Sequence, residues 1–215
     1  MASTPLLATS IIRASGGRSA RSALRRFRAD RDGAAAVEFA LVALPFLALV
    51  GAILQVAFQL WATQNFDQAL QSGVRSIFTG QFQTDNAGQT NAATLLTALK
   101  QKICGPTSAT IVNVFNCQNV KIDVATSSTF SGANASSPVN SQTGTWNTSF
   151  GSNYACAKPG TIVVVTAAVQ FPSFFSMLGL TTKSFTSGAG AGSGLLMSTA
   201  VFRTEPYQTS GSSSC

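Results

Sequence analysis

Histidine is absent from the 215 residues, and only seven acids stand against fourteen lysines and arginines. Without an imidazole, Ser-His-Asp and Cys-His catalysis and the histidine-containing zinc sites are excluded. Only Asp67, Asp85, Asp123 and Glu205 supply carboxylates after residue 62, and they show no paired signature of the kind a two-carboxylate glycosidase needs. The run Gly188-Ala189-Gly190-Ala191-Gly192-Ser193-Gly194 lacks the terminal Lys-Ser/Thr of a phosphate loop and reads as a flexible turn. The four cysteines, 104, 117, 156 and 215, are spaced too irregularly for a zinc site. No enzyme activity, cofactor, metal or small-molecule substrate is therefore expected.

Polar side chains are missing altogether between Phe39 and Leu54, sixteen residues in a row. If Gln55 and Gln59 are allowed, the apolar stretch reaches Ala62. Its length, at about 1.5 Å per residue, is roughly 36 Å of helix, enough to cross a ~30 Å hydrocarbon core. Pro45 and Gly51 are tolerated in such spans, and Pro45, lacking an N–H, predicts a kink in the first third. Glu38 stands just inside this segment. A charge at the centre of a membrane helix costs roughly 2.5–3.5 kcal/mol, and less towards its end, so Glu38 is a candidate functional group.

Charge sets the expected orientation. Residues 1–33 carry seven arginines and two aspartates, a net of +5, and the rest carry seven basic and five acidic groups, a net of +2. By the positive-inside rule the N-terminus stays in the cytoplasm and everything after Ala62 is exported. The overall +7 does not point to nucleic acid, because its excess lies in a short leader and not on a folded patch.

The leader itself reads several ways. It is arginine- and serine-rich like a transit peptide, and Ser22-Ala23-Leu24-Arg25-Arg26-Phe27 resembles a twin-arginine signal. The apolar run is longer than the ~7–15 residues of an ordinary cleaved signal's core, which argues against that kind; an uncleaved signal anchor and a prepilin leader are the further readings. A prepilin leader would be cut after Gly33, making Glu38 the fifth residue of the mature chain (38 − 33 = 5). Glycine before the cut lets extended backbone enter a peptidase site. The cut would leave on Ala34 a new α-amino group, cationic below about pH 7.7–8, that Glu38 of the same or a neighbouring chain could pair with.

The segment Gly33-Ala34-Ala35-Ala36-Val37-Glu38-Phe39-Ala40-Leu41 resembles the TadE-like family, minor pseudopilins of the tight-adherence (Tad) branch of bacterial type IV pilus systems. Near the other end, Phe202-Arg203-Thr204-Glu205-Pro206-Tyr207 is similar to an Arg-x-Glu-Pro-Tyr ending common in such proteins, although here the tail runs on to Cys215. The resemblance implies a bitopic inner-membrane protein, processed by a prepilin peptidase between Gly33 and Ala34. It would pack against other pilus or pseudopilin subunits through Glu38 and Phe39, and support pilus assembly and adhesion.

Beyond Trp61, placed as an interfacial aromatic, a stripe of Ala62, Phe66, Ala69, Leu70, Gly73, Val74, Ile77 and Phe78 continues the helix as a core face, and Gly80 predicts its stop. A short helix is expected over Thr90–Lys102, and a hairpin of Thr110–Asn116 with Asn119–Thr126. A long surface loop or flap is expected over 127–160, with Trp146, Phe150 and Tyr154 as isolated aromatics. Strands follow over Thr161–Phe171, Leu180–Ser187 and Leu195–Thr204. The expected fold is α+β and pilin-like: a basic leader (1–33), a transmembrane helix (34–62) and an exported antiparallel-sheet domain (63–215).

An even cysteine count in an exported domain favours two disulfides, with three possible connectivities. Cys104–Cys117 would close a short loop and Cys156–Cys215 would tether the tail. An intermolecular bond or lipid attachment through Cys215 are the other readings.

Overall fold

The computed structural model describes residues 33–105, 115–172 and 185–206. They form a long helix α1 (Ala34–Phe78), a single-turn helix α2 (Gln81–Asp85) and α3 (Ala92–Cys104). Five strands follow: β1 (Lys121–Ser127), β2 (Val139–Asn140), β3 (Thr145–Trp146), β4 (Ile162–Phe171) and β5 (Gly194–Arg203). The class is α+β, a long N-terminal apolar helix followed by an antiparallel sheet. The chain forms two compact units, one up to Leu49 and one from Val50.

In the first unit α1 is helical straight through Pro45, and its apolar side chains face outward: Phe39 is 75 % exposed and Leu41 and Leu44 are each 73 % exposed. In the second unit the same helix becomes amphipathic as its sequence does. Ala62, Phe66, Leu70, Gly73, Val74 and Ile77, at spacings of three and four, are buried, while Gln64, Gln68, Gln71 and Arg75 are exposed. Packing reaches back as far as Gln55, 3 % exposed, and Phe58, whose ring lies 5.5 Å from that of Phe171. The helix ends as expected at Gly80, whose φ of 78° is the left-handed conformation that glycine takes without a Cβ penalty.

The short helix expected near residue 90 forms two residues later, because the Asn91 side chain caps it by accepting from the Ala93 and Thr94 amides at 2.9 and 3.4 Å. Leu95, Leu96, Leu99 and Ile103 fall on its buried face. The three-stranded sheet has the order β1-β4-β5, antiparallel throughout, with Val124, Val165 and Ala200 in register. As the central strand, β4 is buried on both faces, which explains its largely Ile/Val/Ala sequence, interrupted by Thr166 and Gln170. Its odd-numbered residues from Val163 to Phe171 share one core with α1 and α3.

The expected hairpin turn forms as a 3-10 turn, and the described end of one expected strand is not a strand. Cys117–Asn119 is a 3-10 turn capped by the Asn116 side chain, which accepts from the Gln118 amide at 2.9 Å. β1 pairs with the distant β4; Thr110–Val114, most of its expected hairpin partner, lie outside the described residues. Phe185–Ser187 is not a strand. Phe185 is held by its amide bond to Ser193 O (3.3 Å), and Thr186 by its amide bond to Gly144 O (3.1 Å); residues 180–184 lie outside the described residues.

The flap at 127–160 is irregular, as composition suggests, except for the small hairpin of β2 and β3. Its aromatics are not isolated. Trp146 stacks on Phe150 at 6.1 Å and meets Phe185 at 5.0 Å, and Tyr154 lies 6.0 Å from Phe82. The buried Asp123 of β1 ties the flap down, accepting from Ser136 Oγ at 2.5 Å and from the Asn153 amide at 3.2 Å.

Candidate functional site

The expected functional residues fall into two groups. At the start of α1, Gly33 is exposed and a Cβ built on it would meet nothing within 4 Å, so the backbone of the expected cut site is sterically open. Glu38 lies one turn into the helix, exposed, with no hydrogen bond or ion pair to any described residue. Its neighbours Val37, Phe39 and Leu41 are all more than 60 % exposed, so the carboxylate sits in a wholly apolar, unpacked surface. Among the described residues α1 is the helix long and apolar enough to cross a membrane, over Ala35–Phe78. Such an environment favours membrane anchoring, and a carboxylate within it is costly unless a cation meets it.

The second group lies at the end of β5. The Glu205 amide donates to Phe78 O at 3.0 Å, filling one of the carbonyls that the last turn of α1 leaves without an intrahelical partner. Beside it, Phe202 meets Phe78 edge-on at 6.0 Å. Thr204, 3 % exposed, donates through Oγ1 to Lys158 O at 2.6 Å and to Thr161 O at 3.2 Å, and the Arg203 guanidinium donates to Gly160 O at 2.9 Å. The side chains of Glu205 and Pro206 are exposed, so the segment acts there through backbone and through Thr204. Tyr207 lies outside the described residues. Sequence reasoning singled out the motif but not this task. The signal was available in the terminal carbonyls of α1, which any folded partner must satisfy.

Cys104 and Cys117 form a disulfide, with Cα atoms 6.1 Å apart, joining the end of α3 to the 3-10 turn before β1. Cys156 is disulfide-bonded as well; Cys215, the partner expected for it, lies outside the described residues. Among the described residues no three metal-ligating side chains converge.

Gln55 was read from sequence only as an interruption of the apolar run. It is buried, and its Oε1 finds no hydrogen-bond donor among the described residues. Two titrating groups outside the apolar segment are displaced. Hydrogen bonds from Gln81 and then Lys102 hold the Asp85 carboxyl below its ordinary range, and burial lowers the Lys100 ammonium.

No curated protein and no solved structure matches the chain. Residues 33–75 match the family described as TadE-like protein, so the segment from Gly33 to Arg75, nearly the whole of α1, is TadE-like.

Proposed function

We propose that this chain is a single-pass minor pseudopilin that supports assembly of a Tad-type pilus and, through it, surface adhesion. The observation that carries the reading is that the TadE-like match falls on an exposed apolar helix whose first turns hold one carboxylate, Glu38. In this reading residues 1–33 are a cytoplasmic leader, 34–62 span the inner membrane and 63–215 form the periplasmic domain. A prepilin peptidase cuts between Gly33 and Ala34. The new ammonium on Ala34 then meets Glu38 of its own or a neighbouring subunit, which offsets the desolvation of both charges and sets the register of helices packed beside Phe39. Pro45 bends the helix within that bundle.

The test is intact-mass and N-terminal peptide analysis of the membrane-extracted protein, with and without the prepilin peptidase. The expected result is a chain beginning at Ala34 only when the peptidase is present, with Glu38→Ala impairing pilus assembly but not insertion. A chain that keeps its arginine leader in both cells refutes the proposal, and leaves an uncleaved, signal-anchored periplasmic binding or adhesion domain.

A further inference from the structure

A groove of about 660 Å³ opens between α3, the 3-10 turn, the start of β1 and the flap. Its volume falls within the ~300–1,000 Å³ of typical ligand sites. Lys100 and Lys121 line it, and no aspartate or glutamate does. Both ammonium groups are held by the fold. Lys100 Nζ donates to Gln118 O at 2.6 Å, and Lys121 Nζ sits 4.7 Å from the centre of the Trp146 ring, a cation–π contact. The stem of Lys121 runs against Gly151, whose φ of +91° and missing side chain make room for it: a Cβ there would lie 3.1 Å from Lys121 Cβ and 3.3 Å from its Cδ.

The apolar lining residues Leu96, Val120, Ile122 and Phe150 are buried. What the groove presents to solvent is therefore mixed: the exposed Ala93 and the half-buried Trp146 ring lie among ammonium, amide and hydroxyl groups, with Gln118, Asn119 and Ser152 beside the two lysines. Burial already disfavours the charged form of Lys100, a penalty that an arriving anion would offset.

We propose that this groove binds an acidic polysaccharide of the uronate type, its carboxylates on Lys100 and Lys121 and its hydroxyls on the surrounding amides and hydroxyls. An acidic peptide fits less well. Extended peptides take a free strand edge or apolar pockets. Here β1 is paired with β4 on one side and bridged at Val124 to Tyr154 on the other, and Leu96, Val120, Ile122 and Phe150 are buried, which leaves the Trp146 ring as a face for a sugar. The inference does not depend on the pilus reading, since it concerns the folded domain alone.

The test is biolayer interferometry of the full chain in detergent micelles against polygalacturonate, neutral dextran and poly-glutamate. Saturable binding of polygalacturonate is expected, with dextran and poly-glutamate at least about tenfold weaker, tenfold being the equivalent of about 1.4 kcal/mol. The pair Lys100→Gln/Lys121→Gln should weaken polygalacturonate roughly tenfold, and Lys158→Gln, exposed and outside the groove, should leave it unchanged. Thr148→Glu, which adds a like charge at an exposed lining position, gives an independent variant should the lysine pair fail to fold. Absence of saturable binding, indifference to the lysine pair and to Thr148→Glu, or poly-glutamate binding as tight as polygalacturonate would each overturn the proposal.

Discussion

Replacing Gly73 by alanine sets two effects of known size against each other. Gly73 sits inside α1, where alanine is a better helix former by about 1 kcal/mol. Yet a Cβ at this position would overlap Ile103 Cγ1 and stand 3.1 Å from both the Cα and the amide nitrogen of Ile103. Ile103 is 5 % exposed and precedes Cys104, which the disulfide holds, so its backbone cannot simply move away. Overpacking of this kind costs about 1–3 kcal/mol. The net expectation for Gly73→Ala is a loss of about 1 kcal/mol, or a fall in Tm of roughly 2–4 °C for a domain of this size.

A second background isolates the cause. Ile103→Ala alone should cost about 2–5 kcal/mol as a large-to-small core change. In that background the overlap with Cγ1 is gone while the 3.1 Å approach to the backbone of residue 103 remains, so Gly73→Ala should cost less than in the parent chain, a coupling of about 1 kcal/mol. The assay is thermal unfolding of all four chains followed by near-ultraviolet circular dichroism. If Gly73→Ala raises Tm in the parent chain, or costs the same in both backgrounds, the close approach of α1 and α3 at Gly73 is not what limits the residue there.

Three further outcomes are expected. Asp85 has a folded pKa below its ordinary 3.8, so its contribution to stability is present above that value and lost as pH falls through the lower folded pKa; an NMR titration should show Gln81→Ala and Lys102→Met each raising this pKa, and no rise in either would refute the assignment. Removing the Cys104–Cys117 bond with Cys104→Ser/Cys117→Ser should cost roughly 3 kcal/mol on the chain-entropy account of a short loop, read as a lower unfolding midpoint in denaturant; an unchanged midpoint would contradict it. Thr204→Val removes a buried donor shared by two carbonyls and should cost about 1–3 kcal/mol, with faster hydrogen exchange at the Glu205 amide as its local mark.

The parts of this fold that sequence makes legible are those whose signals are local. The stripe from Ala62 to Ile77, the stop at Gly80, the doubly buried run of β4 and the alternating β5 all announce themselves within one element, and each forms within a residue or two of its expected place. The disulfide between Cys104 and Cys117 belongs with them, because proximity along the chain favours it. What escaped was non-local. β1 pairs with a strand more than thirty residues later, a partner that nothing within β1 itself specifies. Trp146 and Phe150 stand in polar sequence with no period of their own, so nothing local gathers them with Phe185. The C-terminal motif is visible as a pattern, but its closure onto α1 is made by the Glu205 backbone amide, which leaves no trace in side-chain chemistry. For Gly33 and Glu38 the structure adds exposure and open backbone, while their chemistry rests on the sequence reading.

The strand order β1-β4-β5 also dictates a timetable. The strand in the middle is made before one of its two flanking strands, and the amide that closes onto Phe78 arrives later still, at Glu205. A chain emerging from its N-terminal helix must wait for Glu205 before the domain can shut. Until then ten residues of β4 present an unpaired edge. Premature stops before Gly194 should therefore yield not a shorter working domain but a sticky, protease-sensitive one, so β5 acts as the fold's quality check.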